Sequence, residues 1–259
     1  MSALLEIEGV TRRFGGLTAV DAVSAAIQPG TLVGLIGPNG AGKTTLFNLI
    51  SGVTPVTSGT IRLAGEPITG LEPYQIARRG IGRTFQNLRI FPNMTVFDNV
   101  SVGPLGHARN GWWEPLGLGG ARAAAEREQV TKSAREALER VGLSSEANEL
   151  AANLSYGKRK YLEIARALAG RPRLLILDEP AAGLNERETA ALARFIRELN
   201  GEGLTVLLVE HDMSLVMEIC QRVMVLASGR KIADGTPVEV QRDPAVLAAY
   251  LGTEEEAHG

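Results

Sequence analysis

The sequence predicts an α/β fold built on a mainly parallel sheet, and three observations support this. Two uninterrupted apolar runs, Leu174 to Leu177 and Thr205 to Val209, are typical of strands that are covered on both faces. The segment between them, Glu186 to Leu199, has a helical pattern and completes a strand–helix–strand unit. A third apolar run, Thr31 to Ile36, precedes a glycine-rich turn, after which Leu46 to Ile50 indicates the start of a helix.

Further strands are predicted near both ends of the chain. Leu4 to Val10 and Gly59 to Gly65 alternate apolar with polar residues, as half-buried strands do. Val223 to Leu226 and Arg230 to Ala233 flank Ser228-Gly229 and predict a hairpin. The sheet-forming parts of the chain therefore lie in its first quarter and in its last third.

The middle of the chain, from about Ile76 to Ala169, has a different character. Ala121 to Arg140 is rich in Ala, Glu and Arg and lacks proline, which predicts a long helix with a solvated face. Gly103 to Gly120 is a glycine-rich loop that contains Trp112 and Trp113. We expect these two indoles to pin the loop to its own domain; contact with a partner or a lipid surface is the alternative.

Composition narrows the class of protein. The 259 residues are 44% hydrophobic and 22% charged, which is ordinary for a globular protein. A net charge of −2 gives no overall attraction to nucleic acid or anionic lipid. The single cysteine excludes an internal disulfide framework and fits a reducing compartment. No apolar run approaches the ~18 residues of a membrane span, so any work at a membrane is expected of a peripheral subunit.

The glycine-rich turn matches the phosphate-loop pattern G-x-x-x-x-G-K-[ST]. Its glycines allow successive N–H groups to face one anion, and the helix that follows adds its positive dipole end. Lys43 is placed to reach the outer phosphates of a nucleoside triphosphate, and the Thr44 hydroxyl to ligate Mg²⁺. A glycine-rich turn that caps an ordinary helix is the alternative. The predicted nucleotide-binding residues are Gly37, Pro38, Asn39, Gly40, Ala41, Gly42, Lys43, Thr44 and Thr45.

Two acidic residues follow the apolar run 174–177. Asp178 comes first off the strand and is suited to holding Mg²⁺, whereas Glu179 is placed to polarise an attacking water. Helix capping is the alternative for such a pair. His211 follows the next strand and is expected at the same edge of the sheet. Gln86 has an amide that could contact both metal and water, although a glutamine alone indicates little.

A second anion-binding helix end is predicted at Leu154-Ser155-Tyr156-Gly157-Lys158. Ser155 is a suitable N-cap for a helix over 158–168, with a hydroxyl and N–H groups pointing outward. Taken alone, this segment would be an ordinary helix cap.

The order of these motifs along the chain closely resembles that of the ATPase subunit of ATP-binding cassette (ABC) transporters. The resemblance covers nearly the whole chain. It implies a phosphate-loop NTPase core with a mainly parallel sheet, an N-terminal antiparallel β subdomain and an inserted helical subdomain at about 87–169. It also implies one domain over 1–252 and a flexible acidic tail over 253–259.

The resemblance assigns roles to individual residues and implies ATP and Mg²⁺ as cofactors. Two subunits of this family pair head to tail, so that the signature of one closes over the ATP of the other. The roles implied are adenine stacking by Phe14, metal contact and membrane coupling by Gln86, nucleotide contact in trans by Ser155, Tyr156 and Gly157, metal binding by Thr44 and Asp178, general base catalysis by Glu179, and switching by His211.

Within the family, several segments look like the larger of the two ATPase subunits of branched-chain amino-acid importers. Those segments are Arg12 to Val20, Arg83 to Gln86, Pro180 to Asn185, Glu210 to Met213 and Tyr250 to Gly252. The likeness implies a peripheral ATPase at the cytoplasmic face of the membrane. Its expected partners are a second ATPase subunit, identical or paralogous, transmembrane permease subunits and, indirectly, an extracytoplasmic substrate-binding protein; nucleic acid is not among them.

Other functions remain as alternatives. ATPases for lipopolysaccharide export and urea uptake have similar endings. Soluble ABC proteins that act on ribosomes or DNA usually carry two cassettes or a long coiled coil, and this chain has one cassette and no heptad run. A regulatory half with a degenerate site is disfavoured by intact Lys43, Glu179 and His211.

The sequence departs from the family pattern at three places, and none of these differences removes a group that hydrolysis requires. Phe14 stands in place of the commoner tyrosine, Tyr156 and Lys158 replace glycine and glutamine in the signature, and Asn185 replaces an aspartate at the expected dimer seam. The segment 86–97 continues from Gln86 into apolar residues around Pro92, which predicts a docking surface for the membrane subunit. Burial of these apolar residues within the helical region is the alternative.

Overall fold

The computed structural model describes residues 2–105 and 120–255, and these form two compact units. The first unit draws on 1–76 and 174–259, and the second is 77–173. Within the described ranges, no helix combines the length and the apolar character that crossing a membrane requires. Trp112 and Trp113 and the last four residues of the predicted tail, 256–259, lie outside the described residues.

An antiparallel sheet forms the N-terminal part of the first unit, as predicted. Its central strand, β1 (Leu5–Phe14), pairs with β2 (Leu17–Ile27) on one side and with β4 (Ser58–Leu63) on the other. A two-residue strand, β5 (Glu66–Pro67), pairs with β4. Alternate side chains of β1 are buried or accessible near its start, which explains the alternation seen in the sequence.

The second sheet of this unit is mainly parallel and confirms the predicted fold class. Its central strand, β3 (Leu32–Ile36), runs parallel to β8 (Thr205–Val209) and to β9 (Arg222–Ala227). Next to β8 lies β7 (Leu174–Asp178), also parallel, and β10 (Arg230–Gly235) completes the predicted hairpin with β9. Every residue of β3, β7 and β8 is buried, because helices cover both faces of a parallel sheet.

Helices complete the first unit, and one of them packs unusually close to β3. An added Cβ at Gly34 would lie 2.7 Å from the Val216 side chain and 3.1 Å from Cys220 Sγ. Only glycine permits this approach. Burial raises the pKa of Cys220 to about 12, so its thiol stays neutral. The helices are α1 (Lys43–Ile50), α6 (Glu186–Gly201), α7 (Met213–Ile219), α8 (Pro237–Arg242) and α9 (Pro244–Glu255), and α2 (Pro73–Arg78) spans the boundary with the second unit.

The second unit is mostly helical. Its described elements are β6 (Ile81–Arg83), α3 (Val96–Leu105), α4 (Gly120–Arg140), a 3₁₀ turn (Ala151–Asn153) and α5 (Tyr156–Ala169). The three helices pack against one another through side chains that are almost fully buried, including Val96, Val100, Leu138, Leu162 and Ala165. The predicted helical subdomain, about 87–169, falls within this unit.

Two helices begin earlier than their apolar periodicity indicates. Helix α1 starts at Lys43 rather than at Leu46, and α5 starts at Tyr156 rather than at Lys158. The first turn of each is polar or glycine-rich and therefore carries no periodic signal. The predicted N-cap of α5 is confirmed, since Ser155 Oγ accepts a hydrogen bond from the Lys158 N–H at 3.4 Å.

Candidate functional site

The phosphate loop lies between the end of β3 and the start of α1, and its shape depends on glycine. Gly37, Gly40 and Gly42 have φ values of 150°, 77° and 98°. An added Cβ at Gly37 would lie 2.0 Å from the Leu226 carbonyl oxygen, and one at Gly42 would lie 2.4 Å from that of Ala19. Backbone on two sides therefore fixes the curl of the loop. Gly42 is the N-cap of α1 and has no side chain to accept from the first-turn N–H groups.

Lys43 crosses the loop from the first turn of α1. Its side chain is buried, and Nζ donates to the carbonyl oxygens of Gly37, at 2.6 Å, and Pro38, at 2.9 Å. Burial lowers the pKa of Lys43, and the negative charge of Glu179 opposes that shift. Two neutral carbonyls thus hold the ammonium group where anionic oxygens would bind it more strongly.

The pairing of β7 with β8 brings the predicted acidic residues and histidine to one edge. Asp178 pairs with Val209, and the Glu179 N–H donates to the Val209 carbonyl oxygen at 2.9 Å. Glu179 has a φ of 49°, in the left-handed region that non-glycine residues rarely occupy. Strain of this kind concentrates at functional sites because the surrounding structure must maintain it.

His211 and Glu179 are in direct contact. His211 Nε2 lies 2.7 Å from Glu179 Oε1, a distance at which the imidazole N–H donates to the carboxylate. The Glu179 side chain is 11% exposed and that of His211 is 47% exposed. The imidazole therefore orients a carboxylate that is otherwise largely enclosed by protein.

Glu210 is a charged residue of this edge that we did not single out from the sequence. Its buried carboxylate accepts from the Ala181 N–H at 2.7 Å and from the His211 N–H at 3.3 Å. Burial raises the pKa of Glu210, and these two bonds act in the opposite direction. It thereby fixes the backbone at His211 and at Ala181, two residues after Glu179. Its position directly after an apolar strand was the available signal, the same one that identified Asp178.

Phe14 ends β1 and is 46% exposed. The Arg12 guanidinium lies 4.4 Å from the centroid of its ring. A cation on one face of an aromatic ring restrains the ring, while the exposed part of Phe14 remains accessible for stacking.

The remaining predicted residues belong to the second unit. Gln86 is exposed and lies in the irregular segment between β6 and α3. Ser155 and Tyr156 are exposed at the start of α5, whereas Gly157 is buried. The structure thus collects Phe14, the phosphate loop, Asp178, Glu179 and His211 in one unit, and Gln86 and the signature in the other.

The candidate metal ligands are chemically suited to Mg²⁺. The Thr44 hydroxyl and the Asp178 carboxylate are hard oxygen donors, and Asp178 is buried at the end of β7. Among the described residues, no cluster of three or more His, Cys, Asp or Glu side chains is arranged to enclose a metal. This donor set fits a cation that keeps several waters and takes other ligands from substrate phosphates.

Comparison with known proteins gives consistent matches. The family described as "ABC transporter" matches residues 20–182, and "Branched-chain amino acid ATP-binding cassette transporter" matches residues 230–256. The chain is 47% identical to the "High-affinity branched-chain amino acid transport ATP-binding protein BraF" of Pseudomonas aeruginosa over 96% of this chain and 98% of that protein. It is 34% identical to the "Lipopolysaccharide export system ATP-binding protein LptB" of Escherichia coli over 96% of this chain and 98% of that protein.

Solved structures agree with these sequence matches. The crystal structure of a nucleotide-free ATP-binding cassette from an ABC transporter superposes with a TM-score of 0.82 at 31% identity, covering 96% of this chain and 98% of the other. An ATP-binding cassette of an ABC transporter in its ADP conformation gives 0.83 at 31% identity, covering 97% and 100%.

Proposed function

Because this chain belongs to the ABC transporter family as an ATPase subunit, we propose that it powers import of branched-chain amino acids through separate permease subunits. Relatives named for that transport in Pseudomonas aeruginosa and Escherichia coli are 47% and 46% identical over nearly the whole chain, and one from Archaeoglobus fulgidus is 35% identical, against 34% for the lipopolysaccharide export ATPase. The match at residues 230–256 favours the same subfamily.

One observation carries the catalytic part of the proposal: the contact between His211 and Glu179 at an edge that also carries Lys43. Glu179 lies near enough to Lys43 to affect its pKa. The acid, the imidazole and the lysine thus form one cluster beside the phosphate loop.

The cluster and the other candidate site residues have complementary tasks in hydrolysis. The loop N–H groups and Lys43 bind the phosphates, and Phe14 stacks on adenine. Glu179 accepts the proton of the attacking water, while His211 holds the carboxylate in position. Thr44, Asp178 and Gln86 would hold Mg²⁺, which neutralises phosphate charge when bound. Glu210 maintains the backbone that carries Glu179 and His211.

We place the signature in the partner's site. Ser155 caps α5 and is exposed with Tyr156, so hydroxyl and helix N–H groups are accessible to a second molecule. In a head-to-tail dimer, these groups contact the nucleotide that is held by the phosphate loop of the other subunit.

Replacing Ser155 with arginine should block hydrolysis while leaving ATP affinity of the monomer nearly unchanged. The added side chain fills the space into which the partner's nucleotide must enter. Titration of nucleotide into the monomer and a steady-state ATPase assay separate the two effects. Ser145→Arg, which adds the same charge at another exposed position of the second unit, should change neither. A large loss of monomer affinity in Ser155→Arg would place the signature at its own chain's nucleotide.

The segment 86–97 is proposed to contact the permease, and Phe91 has the properties required of a contact residue. Its side chain is 46% exposed. Its backbone is fixed by Asn99, whose amide accepts from the Phe91 N–H at 2.8 Å and donates to the Phe91 carbonyl oxygen at 2.9 Å. An apolar ring is therefore presented outward on a backbone that does not depend on it.

Replacing Phe91 with aspartate should spare folding and ATP binding but uncouple ATPase activity from transport. The carboxylate remains hydrated in the isolated subunit and must lose water at an apolar interface. Assembly with the permease and uptake per ATP hydrolysed are the measurements. Val238→Asp, at another exposed apolar position, is the matched control. Normal assembly and transport by Phe91→Asp would contradict this assignment, and failure to fold would show that the fold itself depends on the Phe91 ring.

The transported substrate is tested by reconstitution at a membrane. With its permease subunits in liposomes and the binding protein outside, the peripheral ATPase should be stimulated by leucine, isoleucine or valine. Stimulation by urea or lipopolysaccharide instead would support one of the alternatives. An ATPase that responds to none of these, although active, would contradict the proposed substrate class.

A further inference from the structure

Helix α5 carries a buried acid that the proposed hydrolysis does not use. Glu163 is 2% exposed and lies two turns beyond the start of α5. A carboxylate at this depth requires donors, since burial of an uncompensated charge is costly. Burial is also the main cause of the raised pKa of Glu163, and the neighbouring donors oppose it.

The donors that satisfy Glu163 come from the segment that carries Gln86. Glu163 Oε1 accepts from the Phe85 N–H at 3.3 Å and from the Arg89 N–H at 3.4 Å. Phe85 precedes Gln86 and Arg89 follows it by three residues. Glu163 Oε1 therefore holds the backbone on both sides of the irregular turn on which Gln86 lies.

Arg166, one turn further along α5, holds the same segment by a second route. One of its terminal nitrogens lies 3.5 Å from Glu163 Oε1, and the other donates to the Arg89 carbonyl oxygen. Arg166 is largely buried, and Glu163 is its acidic neighbour on the helix. Glu163 thus binds the N–H of Arg89 and Arg166 binds its carbonyl oxygen, so the backbone of Arg89 is held at both ends.

The Phe85 ring reinforces the attachment. The guanidinium groups of Arg83 and Arg89 lie 4.8 Å and 4.4 Å from its centroid. Stacking on this ring restrains the residues on both sides of Gln86. The segment and the helix should therefore move together when either is displaced.

We propose that Glu163, together with Arg166, is a positioning link that joins the turn carrying Gln86 to α5, the helix that Ser155 caps. The inference rests on the proposed function, in which Gln86 responds to the nucleotide of its own chain and Ser155 contacts the partner's nucleotide. The link would let nucleotide bound in one site alter the signature that serves the other. Neither residue touches nucleotide; each acts through the segment that it holds.

Hydrogen exchange in the monomer tests the link without a contribution from the partner. The full chain is measured with and without Mg²⁺ and the non-hydrolysable analogue AMP-PNP, at a concentration where light scattering gives a monomer. In the wild type, nucleotide should slow exchange in three peptides: 37–45, 84–91 and 154–160. In Glu163→Ala, the slowing at 154–160 should fall about tenfold, because hydrogen bonds to a charged group are lost, while that at 37–45 is unchanged.

Two further variants separate a link from general support of the fold. Glu163→Gln keeps an oxygen that can accept from the Phe85 and Arg89 N–H groups, so it should restore most of the response. Glu136→Ala removes an exposed ion pair with Arg171 (2.8 Å) and should leave every response intact. A purely structural role would speed exchange equally with and without nucleotide, and the nucleotide-dependent difference would remain.

Each outcome has a defined meaning. A wild-type response at 154–160 in Glu163→Ala, or the absence of that response in the wild type, would overturn the link. If Glu163→Ala does not fold, Arg166→Lys should still reduce the response, because it keeps the charge but loses the fork that reaches both Glu163 and the Arg89 carbonyl oxygen. An undiminished response would overturn the link. No nucleotide effect at 37–45 would refute nucleotide binding, and thus the proposed function itself.

Discussion

Replacing Glu179 with glutamine should lower the turnover of ATP by about 10²- to 10⁴-fold, the range by which general bases accelerate reactions. Glutamine has the size and shape of glutamate, and its amide oxygen can still accept from His211 Nε2, now 2.7 Å from Glu179 Oε1. The change removes the negative charge and, with it, the capacity to take a proton. ATP binding should therefore persist, and the stalled subunits should accumulate as a nucleotide-sandwiched dimer.

Two measurements test this expectation. Single-turnover hydrolysis gives the chemical step, and gel filtration with and without MgATP gives the dimer. Glu186→Gln makes the same replacement at an exposed position in the first turn of α6 and should hydrolyse ATP normally. Near-normal turnover in Glu179→Gln would show that another group accepts the proton.

Replacing Lys43 with alanine should act on an earlier step, weakening ATP binding by about 10- to 100-fold. Charged hydrogen bonds to phosphate are among the stronger ones in proteins, and their loss costs free energy of this order. Lys43 Nζ contacts only neutral carbonyl groups among the bonds described, those of Gly37 and Pro38. It can exchange them for phosphate oxygens without leaving a buried acid uncompensated.

ATP binding by Lys43→Ala should be compared with ATP binding by Glu179→Gln. Equilibrium titration with a fluorescent ATP analogue should show weak binding for Lys43→Ala and normal binding for Glu179→Gln. Lys132→Ala, on the exposed side of α4, controls for loss of one positive charge. Retained affinity in Lys43→Ala, with a normal melting temperature, would exclude the proposed role of Lys43.

The sequence predicts those parts of the site that depend on short segments. The phosphate loop requires glycine at fixed spacing, and buried parallel strands appear as uninterrupted apolar runs, as in β7 and β8. The acids and the histidine follow directly, because parallel strands end at one edge of the sheet. Their contact at 2.7 Å depends on the register of β7 with β8, which no local pattern specifies.

Other features could not be predicted because they depend on distant backbone. Glu163 has the sequence context of a polar residue on an amphipathic helix, yet N–H groups 74 and 78 residues away bind it. Glu210 is likewise satisfied by the Ala181 N–H, 29 residues away. The early start of α1 at Lys43 was missed because periodicity reports apolar faces and not the polar first turn.

The central place of β3 has a consequence for biosynthesis. The Leu32 N–H donates a hydrogen bond to the side chain of Gln221, 189 residues later in the chain. Both neighbours of β3 in its sheet, β8 and β9, come from the C-terminal third. A ribosome that adds about 5 to 20 residues per second needs about 10 to 40 s to make the intervening chain. For most of that interval neither β8 nor β9 has been made, so the nascent polypeptide contains an apolar strand without its partners, a target for chaperones. A fragment that stops before β8 would contain every residue of the phosphate loop but neither of the strands that flank β3 in the folded sheet.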